Sequence, residues 1–124
     1  MDSRKKILIV EDDQFLREFY QELLTAEGYA VDTAADGEVG LNKIQHNDYN
    51  LVLLDLMLPK KDGVQILRDL KVSSPKSSQI NIVVLTNLGQ DTVIKECFDL
   101  GANGYLIKSA LNPDQVLTEV KSYL

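Results

Sequence analysis

The ten residues Asn50–Pro59, NLVLLDLMLP, decide the fold. Leu51 to Leu54 lead straight into Asp55, and Leu56, Met57 and Leu58 follow before the proline. A short apolar run without polar interruption reads as a strand covered on both faces, as in a parallel sheet sandwiched by helices. A carboxylate closing such a strand is costly unless it is paired or used.

Outward from this stretch, strand-like runs alternate with segments of helical period. KILIV (Lys6–Val10) is expected as a buried strand, and Leu16, Phe19, Tyr20, Leu23 and Leu24 then form a helical stripe that Gly28 can end. YAVDT (Tyr29–Thr33) reads as a second strand, and Asp36 can cap a helix ending near His46. After the Leu51–Asp55 strand come a helix over Asp62–Lys71, the loop VSSPKSSQ and a fourth strand, Ile80–Thr86. A helix over Gln90–Leu100, a fifth strand over Gly104–Lys108 and a last helix complete the series; Asn112, Pro113 and Gln115 open that helix as a capping box. Five β–α units in succession predict an α/β fold with a parallel sheet and helices on both faces.

With 124 residues the chain has the length of one domain, so 1–124 is read as a single unit. A net charge of −6 with scattered lysines and arginines argues against direct nucleic-acid binding, which needs a basic face. No apolar run approaches the ~20 residues of a membrane span, and no signal-peptide core precedes the first strand, so a cytoplasmic location is expected. The lone Cys97 excludes an internal disulfide and is expected in the core. With His46 as the only histidine, a histidine triad or multi-histidine metal site is improbable; His46 is expected to be solvated at a helix end.

In open α/β sheets ligands bind beyond the carboxyl ends of the strands. There the sequence places Glu11, Asp12 and Asp13 after strand one, Asp55 on strand three, Thr86 on strand four and Lys108 on strand five. Two carboxylates ~5 Å apart repel by roughly 3 kcal/mol at an effective dielectric near 20, and one lysine offsets only part of that charge. Either an acid takes up a proton or a cation resides there; an all-oxygen set with few protein ligands suits Mg²⁺. Asp13 is expected as a helix cap.

ILIVEDD, LVLLDLMLPKKDG, IVVLTN and GYLIKS together resemble the receiver domain of bacterial two-component response regulators, over Lys6 to Leu124. The resemblance implies a flavodoxin-like, doubly wound (βα)5 domain with five parallel strands in the order 2-1-3-4-5. It implies that Asp55 is the phosphoacceptor, that Glu11, Asp12, Asp55 and the Met57 carbonyl hold Mg²⁺, and that Thr86 and Lys108 meet the phosphoryl oxygens. Tyr105 matches the switch aromatic. The implied donor is the phosphohistidine of a sensor histidine kinase or phosphotransfer protein, and the output is read by a partner or second copy on the face of helix four, strand five and helix five. Val93, Cys97 and Leu100 are the expected core stripe of helix four, with Ile94 and Phe98 beside it. The chain is thus expected to be a signalling switch, not a turnover enzyme.

Two departures from the family pattern stand out: Ser109 follows Lys108 where proline is common, leaving the isomer of that bond open, and Asn87 replaces a small residue after Thr86. With Met57 and Leu88, Asn87 is expected to crowd the site and slow attack by water. Of the rivals, an aspartate-nucleophile phosphohydrolase wants an acid where Met57 stands, and a flavin module wants Ser, Thr and Gly where EDDQ stands. A scaffold that binds partners without phosphorylation is the third. As no output domain follows Leu124, the chain is read as a stand-alone regulator or a piece of a longer one.

Overall fold

The computed structural model describes residues 3–73, 80–87, 91–110 and 112–124, the side chains of Ser73 and Ala110 excepted. The strands are β1 (Lys6–Val10), β2 (Ala30–Ala34), β3 (Leu51–Asp55), β4 (Asn81–Thr86) and β5 (Gly104–Ile107). The helices are α1 (Gln14–Ala26), α2 (Gly37–His46), α3 (Gly63–Ser73), α4 (Asp91–Asp99) and α5 (Pro113–Ser122). All strand pairs are parallel, in the order β2-β1-β3-β4-β5.

The uninterrupted runs do what their pattern requires. Every residue of β3 is buried, and side chains alternate between two cores. Val52 and Leu54 join Leu8, Val10 and Val84 in the core that holds Ile66 of α3 and Cys97 of α4. Leu51 and Leu53 join Ile7, Ile9, Val83 and Leu85 in the core that holds Leu24 of α1 and Val120 of α5. This two-residue period fixes which face each strand-end residue takes.

Local chemistry sets the helix ends. Asp13, Asp36 and Asn112 are N-caps whose side chains accept from Leu16, Val39 and Gln115 N–H, and Asn112 with Gln115 completes the capping box. After α1, Gly28 takes φ +97, the left-handed conformation glycine tolerates. His46 is exposed at the last position of α2.

Boundaries differ at several ends. Strand β2 is one residue later than expected, because Ala30–Ala34 is the run that pairs with Lys6–Val10. Helix α3 includes Val72 and Ser73, where a loop was expected; neither is a helix breaker. Strand β5 stops at Ile107, and Lys108–Ala110 form one 3₁₀ turn. Ser74–Gln79, the rest of the expected Ser/Pro-rich loop, and Leu88 and Gln90 lie outside the described residues.

Candidate functional site

Counting in twos along the strands delivers three charged side chains to one place. Beyond Ile7 and Ile9 the next residue of that parity is Glu11; beyond Leu51 and Leu53 it is Asp55; beyond Leu106 it is Lys108. All three rise from the carboxyl edge on the α1/α5 side. Glu11 is fully buried and Asp55 is 2% exposed. Lys108 Nζ lies 2.6 Å from Glu11 Oε1 and donates to Asp55 Oδ2 at 2.9 Å. Asp12 stands exposed at the rim, and one oxygen each from Glu11, Asp12 and Asp55 lies within 4.8 Å of the others.

The electrostatics are unbalanced as the sequence requires. Burial, followed by the neighbouring Asp55 carboxylate, pushes the Glu11 carboxyl up to about 7; the Lys108 ammonium and the Asp13 N–H pull the other way. Burial alone would lower the Lys108 ammonium, but contact with Glu11 and Asp55 outweighs it and raises that pKa. Lys108 meets Glu11 Oε1 as a charge, for among the described residues no hydrogen bond of good geometry reaches this buried oxygen. An unsatisfied buried acceptor beside two more carboxylates fits a hard, oxygen-seeking cation.

The backbone around these acids is pinned. Asp13 N–H donates to Glu11 Oε2 (3.2 Å), and Arg17 Nη1 reaches back from α1 to the carbonyls of Glu11 (2.9 Å) and Asp12 (3.2 Å). Met57 N–H donates to Asp55 Oδ1 at 3.1 Å, while its side chain points into solvent, 65% exposed. Gly63 N–H donates to the Leu56 carbonyl, and a Cβ on Gly63 would lie 2.7 Å from the Asp55 carbonyl. Glycine is therefore required where α3 starts directly behind β3. At the start of α2, Gly37 N–H donates to the Pro59 carbonyl, and a Cβ there would overlap the Lys61 carbonyl. Lys60, between them, has φ 67, and its ammonium faces Asp36 at 3.8 Å.

Thr86 is buried at the end of β4, but its parity is that of Ile82 and Val84, and its hydroxyl donates to the Asn87 carbonyl at 3.2 Å. Asn87 is exposed beside it. No cis peptide occurs among the described residues, so Lys108–Ser109 is trans. Farther along β5, Tyr105 is 43% exposed and meets Phe98 of α4 edge-on, with ring centroids 6.2 Å apart. Cys97 and the half-buried Val93 and Leu100 form the inner stripe of α4, with Ile94 half-buried and Phe98 exposed.

Sequence reasoning named Glu11, Asp12, Asp55 and Lys108, which the structure brings together, and Thr86, which ends the strand beside that of Asp55. It did not single out Arg17 or Gly37. For Arg17 a signal existed, since an arginine one turn into a helix can reach the strand-to-helix connection that precedes it. For Gly37 nothing local announced that another loop packs on it.

A doubly wound parallel sheet carrying three acids and a lysine at its carboxyl edge defines the class: an α/β domain built around a buried, cation-ready carboxylate. Residues 7–121 match the family described as "Response regulator receiver domain", and the chain belongs to it. Response regulator ArlR of Staphylococcus aureus is 38% identical over 119 residues, which are 96% of this chain and 52% of that protein. The chain therefore spans about half the length of that relative. The chemotaxis response regulator CheY4 of Vibrio cholerae has the same fold with a TM-score of 0.89 and 28% identity, covering 98% of this chain and 100% of that one. The receiver domain of sensor histidine kinase PA1611 from Pseudomonas aeruginosa, solved with a magnesium ion in its active-site cleft, has a TM-score of 0.86 at 24% identity, over 98% of both chains. As a receiver domain of two-component response regulators, the chain is a signalling domain and not a turnover enzyme. No helix among the described residues is long and apolar enough to cross a membrane.

Proposed function

We propose that this domain is a phosphorylation-dependent switch with Asp55 as acceptor. The supporting observation is the Lys108 ammonium lying between two buried carboxylates, with Asp12 closing an all-oxygen cluster at the same strand ends. Glu11, Asp12, Asp55 and the Met57 carbonyl would hold Mg²⁺, which when bound supplies positive charge against the incoming phosphoryl oxygens.

The chain's own residues do the rest. An Asp55 oxygen forms the bond to phosphorus as the phosphorus–nitrogen bond of a phosphohistidine on a kinase or phosphotransfer protein breaks. Lys108 already touches Oδ2 and can follow the developing charge without reorganising. Thr86 then turns its hydroxyl from the Asn87 carbonyl to the new phosphoryl group, and Tyr105 leaves its half-exposed place against Phe98 for the space released. The changed face of α4, β5 and α5 is read by a partner or a second copy, and the domain makes no contact of its own with nucleic acid. We place it in the cytoplasm, where kinases of this kind deliver their phosphoryl group, as a single receiver unit over 1–124.

Incubation with Mg²⁺ and acetyl phosphate, followed by intact mass, tests the reading. One phosphoryl group on the wild type and none on Asp55→Asn is expected. Labelling of Asp55→Asn, or no labelling of the wild type, overturns it. Asn87→Ala should shorten the phosphoryl lifetime if Asn87 shields the site, and Ile94→Ser with Phe98→Ser should spare labelling while abolishing association.

A further inference from the structure

Arg17 sits on α1, and its side chain turns back toward the acids instead of out to water. One nitrogen, Nη1, contacts the carbonyls of two consecutive residues, Glu11 at 2.9 Å and Asp12 at 3.2 Å. Among the described residues the guanidinium has no carboxylate partner. The Glu11 carbonyl belongs to the peptide joining the fully buried Glu11 to the exposed Asp12, and the Asp12 carbonyl to the peptide that follows. The orientation of these two peptides decides whether one side chain turns inward while the next reaches the rim. The same corner is also held by Glu11 N–H to the Ala34 carbonyl, Asp13 N–H to Glu11 Oε2, Leu16 N–H to the Asp13 cap and Arg17 N–H to the Asp13 carbonyl.

We infer that Arg17 is a positioning residue for the cation site: by holding the Glu11 and Asp12 carbonyls it fixes the angle between their two carboxylates. The inference rests on the reading of that cluster as a Mg²⁺ site. A guanidinium is a poor neighbour for a divalent ion if only its charge matters, because like charges repel. The charge view therefore predicts tighter Mg²⁺ binding when Arg17 is neutralised. The positioning view predicts weaker binding, because the carboxylates must be reordered on each occasion. The sign separates the two.

The test is a Mg²⁺ titration of the full chain at constant ionic strength, followed by amide NMR shifts, for wild type, Arg17→Met and Arg17→Gln. Methionine keeps the packed stem without a donor; glutamine keeps a donor without the charge. Arg17→Met is expected to raise the Mg²⁺ Kd about tenfold, and Arg17→Gln to recover to within about threefold of wild type. At saturating Mg²⁺, labelling of Arg17→Met by acetyl phosphate should return to near the wild-type rate. Unchanged or tighter binding by Arg17→Met overturns the inference, as does equal weakening by both variants. Should Arg17→Met unfold on thermal melting, Arg17→Gln against Arg17→Lys decides: similar Kd values for both support positioning, and tighter binding by the neutral variant overturns it. A wild type that does not bind Mg²⁺, or an Asp55→Asn that binds it equally well, removes the site reading and this inference together. Wild-type binding with an indifferent Arg17→Met removes this inference alone.

Discussion

The acidic corner at the ends of β1 and β3 and the face formed by α4, β5 and α5 are held in different ways. At the corner, backbone and side-chain bonds converge on a few residues: Arg17 and Asp13 on Glu11, Met57 on Asp55, Gly63 on Leu56 and Gly37 on Pro59. On the other face Tyr105 and Phe98 lean edge-on against each other, each more than two-fifths exposed. Helix α4 is tied to α3 by an exposed Arg68–Glu96 ion pair and by Lys71 Nζ to the Asp99 carbonyl at 3.2 Å. A chemical site needs fixed geometry, whereas a signalling face needs two arrangements of similar energy. On the reading proposed above, the molecule would separate the two jobs in space.

The contrast can be broken first at Lys108. Lys108→Met leaves Glu11 and Asp55 facing each other without a counter-charge, and should cost about 3 kcal/mol at pH 8 in metal-free buffer. Urea unfolding measures it. A loss below about 0.5 kcal/mol would mean that the two acids do not strain the corner.

Gly37→Ala comes next. The Lys61 carbonyl has to move, and the connection from β3 to α3 with it, so about 1–3 kcal/mol of stability should go. Gly28→Ala meets open space and is strained only through its φ of +97, making it the control for backbone conformation alone. If the two cost the same, the loop contact contributes nothing.

Acidity sharpens the comparison further. Glu11 has a folded pKa of about 7, above its ordinary value of 4.5, so the folded chain binds the extra proton. That contribution is fully present below pH 4.5 and disappears as pH rises through 7. Metal-free protein should therefore be more stable near pH 5 than near pH 8 by about 1–2 kcal/mol from this group, and Glu11→Gln should flatten that slope. An identical slope in Glu11→Gln would assign the effect elsewhere.

The smallest effect belongs to the side of α4. Arg68→Ala should lose no more than about 0.5 kcal/mol, and less in high salt, because the pair with Glu96 is exposed. Any larger value would make α4 a rigid element and count against the proposed movement of that face.

Much of this was legible along the chain because its physics is local. The runs ILIV, LVLL and IVVL can be buried on both faces only as central strands, and Asp36 or Asn112 caps a helix through bonds three residues away. A carboxylate after an apolar run of four residues marked a strand end at Asp55 and Glu11, so both could be named early. Other features depend on residues far apart in sequence. Lys108 reaches Asp55 across 53 positions, Gly37 makes room for Lys61, and the Thr86 hydroxyl donates to the Asn87 carbonyl. Sequence by itself determined which groups stand at the edge of the sheet, since burial and a two-residue period are properties of each strand alone. Only the tertiary structure decided which of them touch and which atoms hold them in place, because distances between strands are set by packing that no single stretch contains.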